Sequence, residues 1–255
     1  MKAMTNYRRL IRHTAFLLLL VLSSAALPHF AQTTQPRSSD ESVENQWVRY
    51  NATVIDSATW REENLRPLFP LRFEPETMTT TVVTLTSRDY APGTQGLGGY
   101  VWVTAVPEVQ QKCKNFKEKD LALRLRQLLG LQPEAQFRHF VVMKVVATDI
   151  FRPATNPLTT TPLPCGAKKE SYCGEQFPFW ASPAHMQWLA NQMLTSYVVA
   201  PEHNGTYSYP WTRLGYTYDW KEGADRYGAS EYVVRPGAVV NVLSVAPYAA
   251  YCGRE

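Results

Sequence analysis

The chain has 255 residues, 45% of them hydrophobic and 19% charged, with 26 Lys+Arg against 22 Asp+Glu. That length fits one domain or two small ones, and near-average apolar content excludes disordered, fibrous and collagen-like classes. Four of the 26 basic residues lie in residues 1–26, which hold no acidic residue, so the rest of the chain carries 22 of each sign. A chain so balanced has no basic footprint for nucleic acid and no polybasic patch for a membrane surface.

Residues 1–26 read as a secretory signal peptide. Lys2, Arg8, Arg9 and Arg12 form a positive start, Ala15–Leu22 (AFLLLLVL) is a short apolar run, and small residues follow, with Ala25, Ala26 and Ala31 as alternative cleavage positions. The run is shorter than the ~20 residues that span a bilayer, so no membrane association is expected once it is removed. Residues 27–46 are nearly free of apolar side chains from Gln32 onward and predict a disordered lead-in. Residues 47–255 are then expected to form a single α+β domain, periplasmic or secreted.

Trp47–Ile55 (WVRYNATVI) predicts a strand with imperfect alternation. Met78–Ser87 is rich in β-branched residues and predicts a second strand. Ala91–Gly99, with four glycines, predicts a turn region leading into the strand Tyr100–Val106, the two strands forming a hairpin with a long loop. The glycines do not make a dinucleotide fingerprint, because they lead into a strand and not a helix. Asp120–Leu129 predicts a helix: Asp120 as N-cap, Leu121, Leu125, Leu128 and Leu129 on one face, Gly130 past its end. Phe137–Phe151 predicts the central strand and Arg152–Pro164, with four prolines, a surface loop. Ser182–Tyr197 predicts a second helix capped by Ser182, with Met186, Leu189, Ala190, Met193, Leu194 and Tyr197 as its core stripe. His185, Trp188 and Gln192 fall on a neighbouring face and form a candidate binding edge. Glu231–Val234 and Ala238–Ala246 predict closing strands about the turn Arg235–Gly237. The fold class expected is α+β: a mainly antiparallel sheet with two helices packed on it, stapled by disulfides.

Four cysteines, Cys113, Cys165, Cys173 and Cys252, suggest two disulfides in an exported chain. Three pairings are possible; proximity favours Cys165 with Cys173, which leaves Cys113 with Cys252. Their spacing fits no common zinc motif, and neither a metal nor another cofactor is expected.

The densest chemical signal is Tyr207–Tyr232, in which eight of 26 residues are aromatic. Tyr207, Tyr209 and Trp211 fall on odd positions, whereas Tyr216, Tyr218 and Trp220 fall on even ones, so each trio shares a strand face and the parity changes at Leu214-Gly215. Pro210 places the first trio on an edge, partly exposed, and the second trio in the core. Arg213 is expected at the border, stem on a ring and head toward Asp219 or Glu231. Together, WVTAVPEVQQKC, LRLRQLLGL and YPWTRLGYTYDW with GASEYVV resemble uncharacterised exported bacterial proteins over most of the chain beyond residue 26. The resemblance implies export and carries no activity to transfer.

No H-E-x-x-H, S-x-x-K or G-x-S-x-G occurs; at Gly228-Ala229-Ser230-Glu231-Tyr232, a tyrosine stands where the second glycine belongs. The leading expectation is a non-enzymatic binding protein using Tyr207, Tyr209, Trp211, Arg213, His185 and Trp188. Its partner would be a glycan, another cell-envelope component or a protein surface, since Trp, Tyr and Arg dominate binding hot spots. The alternative is a glycan-active hydrolase with Asp219 and Glu231 as its carboxylate pair, facing each other across a hairpin.

Overall fold

The computed structural model describes residues 42–161, 176–197 and 208–254, on which every statement below rests. The signal-peptide segment, most of the expected lead-in, Tyr207, Cys165 and Cys173 lie outside the described residues. The protein is α+β, with an eight-stranded, antiparallel sheet and five α-helices among the described residues.

In chain order the helix α1 (Val43–Ala58) comes first, where a strand was expected. Besides Gln46 its buried residues are Trp47, Tyr50, Val54 and Ser57, at i, i+3, i+7 and i+10, so the burial period is helical although Val48 and Ile55 are β-branched. Ser42 caps it by accepting from the Asn45 N–H, and the helix takes in Val43–Gln46 of the expected lead-in. Strands β1 (Thr79–Thr86), β2 (Gly93–Gly96) and β3 (Val101–Ala105) follow, β2 arising inside the glycine-rich turn region. Next come α2 (Glu108–Lys114), which was not anticipated, and α3 (Leu121–Leu128), whose Asp120 cap accepts from the Leu123 N–H. The expected long strand 137–151 is divided into β4 (His139–Val146), a 3-10 turn and β5 (Ile150–Phe151). Then come α4 (Pro183–Ser196), β6 (Tyr216–Tyr218), β7 (Tyr227–Val234), β8 (Val239–Pro247) and the single-turn α5 (Tyr248–Tyr251). No helix among the described residues is long and apolar enough to cross a membrane.

The strand order is β2-β8-β4-β1-β3-β7-β5, with β6 added on β7. β1 and β3 pair antiparallel as expected, but β7 and β8 do not form a hairpin: three strands separate them. Only residues 235–238 join them, a link that reaches about 17 Å fully extended, whereas four interstrand steps across a flat sheet are about 19 Å. The sheet is therefore rolled. The Leu97 N–H donates to Ala238 O at 2.9 Å and Gly237 N–H to Leu97 O at 2.7 Å, tying the link to the segment that follows β2.

Rolling gives the sheet two unlike faces. Val82, Val103, Met143, Tyr232, Val234 and Val240 point inward and join one aliphatic cluster fed by nearly every strand. The outward residues Val83, Phe140 and Ala229 pack against α2, α3 and α5. There the disulfide Cys113–Cys252 joins α2 to the end of α5, across 139 residues of sequence, as expected for that pair. It is the disulfide found among the described residues. A loop of that length removes about 5 kcal/mol of unfolded-chain entropy in the loop-closure model.

Two further expectations fail. Arg152–Asn156 is buried, not a surface loop: Arg152 threads under the sheet edge, and a Cβ on Gly215 (φ +80°) would meet its Cδ at 2.6 Å. On α4 the buried residues are His185, Leu189 and Ser196 while Leu194 is 74% exposed, so the helix is rotated toward the face first taken as a binding edge.

Candidate functional site

A cavity of about 360 Å³ opens on the outer face of the sheet. The register explains its floor. Val83 is paired with Thr104, and Thr104 with Glu231, so these three side chains stand in one row across β1, β3 and β7. Trp102, two residues before Thr104, points the same way. The segment just past α3 (residues 129–131), α4 through Gln192 and Ser196, and the segment Tyr209–Trp211 enclose the space from the other side. Seven aromatic residues, Tyr90, Tyr100, Trp102, Phe140, Tyr209, Trp211 and Tyr218, line it.

The parity change in the aromatic stretch is a real turn. Arg213 has φ +58° and Gly215 φ +80°, and the chain folds back so that Trp211 bridges Thr217. Tyr216, Tyr218 and Trp220 are buried, as expected. Tyr209 is exposed, also as expected, but Trp211 is only 4% exposed, because Trp102, Trp188 and Tyr197 surround it at centroid distances of 6.1 to 6.4 Å. It is a wall of the cavity and not a surface platform.

Arg213 does not reach either acidic side chain. Its Nη2 donates to Ala58 O at 2.7 Å at the end of α1, and its guanidinium lies over the Tyr197 ring. His185 is also outside the cavity: it is 3% exposed, its Nε2 lies 2.7 Å from Ala154 O, and burial depresses its pKa. Trp188 backs the wall, 4.7 Å from Phe151 and 6.1 Å from both Trp102 and Trp211. The expected binding edge on α4 thus survives only at Gln192, whose side-chain amide donates to Ser196 Oγ at 3.1 Å.

The two candidate carboxylates are not a pair. Asp219 follows β6 and is taken by Arg124 of α3 in a fork of two hydrogen bonds, at 3.0 and 2.6 Å, both residues being buried. Its Oδ1 also accepts from the Lys221 N–H. Asp219 does not line the cavity; Glu231 does. The separation of roles follows from sequence distance: Arg124 lies 95 residues away, and only the docking of α3 on β6 brings it in.

Glu231 is the unusual group. Burial pushes its carboxyl up to about 8, while the Trp211 indole N–H pulls the other way. Glu231 Oε1 and Trp211 Nε1 are both sealed from solvent, the indole N–H directed at the carboxyl with less than ideal hydrogen-bond geometry. The remaining charged or titratable groups on the wall are Arg88 and the phenols of Tyr90, Tyr100, Tyr209 and Tyr218. Burial raises the Tyr218 phenol, as does its 2.8 Å bond to Asp56 Oδ2.

Sequence reasoning missed the β1 and β3 walls, Thr84, Tyr100, Trp102 and Thr104. Their alternation was visible; the cavity beside them was not. Among the described residues no group of three or more His, Cys, Asp or Glu could hold a metal ion. No family model, curated protein or solved structure matches the chain.

Proposed function

We propose that the protein is an exported, non-enzymatic binding protein whose ligand enters the aromatic cavity between β3 and the Tyr209–Trp211 segment. The observation that carries this reading is the cavity itself: about 360 Å³, lined by seven aromatic residues, with the buried Glu231 among the residues of its floor. Concave, mostly apolar sites with few placed polar groups are how proteins hold small ligands. Ring faces that line a cavity suit a flat or ring-shaped ligand, and the sugar of a glycan or cell-envelope fragment is the class proposed. Export is supported by the leader-like N-terminus and by a long-range disulfide, which persists in oxidising compartments.

Hydrolysis is not favoured. A two-carboxylate mechanism needs both acids beside the scissile bond, and Asp219 is neutralised by Arg124 away from the cavity. The test is calorimetric titration of the purified exported protein with envelope glycan fragments, alongside Trp102→Ala. Saturable binding that is lost in the variant, with the melting temperature held within a few degrees, is the expected outcome. Release of cleaved product, or binding that survives in Trp102→Ala, contradicts the reading.

A further inference from the structure

Three residues of the cavity wall remain exposed, Arg88, Tyr100 and Tyr209; the others are buried or half-buried. A ligand arriving from solvent therefore meets two phenol rings and one guanidinium. Arg88 lies in the link from β1 to β2, and its backbone is fixed there. Its N–H donates to Thr86 Oγ1 at 3.0 Å, and its carbonyl O lies 2.7 Å from His139 Nε2. Both neighbours are fastened too: Arg138 Nη2 donates to Ser87 O at 2.7 Å and to Asp89 Oδ1 at 2.9 Å. That ion pair takes up the charge of Asp89, the acid next to Arg88 in sequence. The Arg88 guanidinium itself makes no hydrogen bond, ion pair or ring contact among the described residues. Of the wall residues only Arg88 and Glu231 can carry a charge near neutral pH, and burial holds the Glu231 carboxyl neutral up to about 8. At pH 7 the cavity thus carries one charge, a cation, among apolar and neutral polar groups. A second cation is repelled there. A carboxylate is matched, because the guanidinium fork can take both of its oxygens.

We infer that Arg88 is the charge-recognising residue of the cavity and that the ligand is an acidic sugar, its ring among the aromatic side chains and its carboxylate on the guanidinium. The inference rests on the cavity being a sugar-binding site and narrows that class to carboxylate-bearing rings.

Glucuronate, glucuronamide and glucosamine share a pyranose ring and carry negative, no and positive charge. Each is titrated at pH 7 into the full protein and followed by tryptophan fluorescence, since Trp102 and Trp211 line the cavity. Glucuronate is expected to bind about fivefold more tightly than glucuronamide, the scale of one exposed ion pair, with glucosamine weakest. Arg88→Gln should equalise the acid and the amide. Arg88→Lys, which keeps the charge without the fork, should retain part of the preference. Because the Arg88 side chain is exposed and unbonded, both variants should melt within about 2 °C of the wild type. Equal binding of glucuronate and glucuronamide, or a preference that survives in Arg88→Gln, overturns the inference and leaves the cavity as a sugar site. Failure of all three to bind where envelope glycan fragments do bind also overturns it. Failure of the fragments as well overturns the sugar-site reading itself.

Discussion

Two tryptophan–carboxyl neighbourhoods lie within one short stretch of this chain, and they have opposite fates. Around Trp220 the polar groups are bonded into the core: its indole N–H reaches Arg126 O and Leu131 O at 3.1 and 2.9 Å, Tyr50 meets its ring edge-on, and neighbouring Asp219 is forked by Arg124. Around Trp211 the rings are just as closely packed, yet Trp211 and Glu231 both line the hollow, and the indole N–H is directed at the buried Glu231 carboxyl instead of at backbone carbonyls. Both indoles are nearly inaccessible, at 1% and 4% exposure. Burial alone therefore does not tell core from cavity wall in this molecule; what each indole stands against does. The first neighbourhood is bonded into the fold, and the second lines a hollow.

The contrast breaks most visibly through stability. Trp220→Ala and Asp219→Ala should each cost about 3 to 5 kcal/mol in urea unfolding, the first by opening a cavity against Tyr50 and the second by stranding the buried Arg124 guanidinium. A loss below about 1 kcal/mol in either would mean that this neighbourhood is no more committed to the fold than the other.

Glu231→Gln sharpens the contrast with a smaller effect that depends on pH. The folded carboxyl titrates at about 8, above the ~4.3 of an unfolded glutamate. Its contribution to stability is therefore fully present below about pH 4.3 and is lost as pH rises through about 8, because the unfolded chain ionises first. The glutamine variant lacks that slope. Apart from a constant offset, its advantage over the wild type should grow across this window, reaching at most about 5 kcal/mol. Parallel stability curves for the two proteins from pH 5 to pH 9 would show that Glu231 is not held neutral by burial.

Much of the frame was legible in the sequence wherever a local rule governed it. Asp120 and Ser182 announced helix starts, β-branched runs announced β1 and β3, and the odd-to-even change of the aromatic trios announced the reversal at Arg213–Gly215. The helix α1 was misread because Val48, Thr53 and Ile55 suggested a strand, while the burial period of Trp47, Tyr50 and Val54 is helical. Tertiary packing overrode propensity there. Glu231 was singled out as half of a carboxylate pair, but it stands beside Thr104 while Asp219 is held by Arg124, both of them contacts between strands or helices far apart in sequence. Trp102 carried no signal beyond its place in an alternating strand, since a cavity arises only when β3, α4 and the Tyr209–Trp211 segment meet.

The claim that the hollow beside Glu231 is a ligand site is tested most directly by following the two indole N–H resonances in one nitrogen-15 spectrum during titration with envelope glycan fragments. The account predicts that the Trp211 signal, from a residue of the cavity wall, moves saturably, while the Trp220 signal stays in place. A stationary Trp211 signal, or equal movement of both, would contradict it.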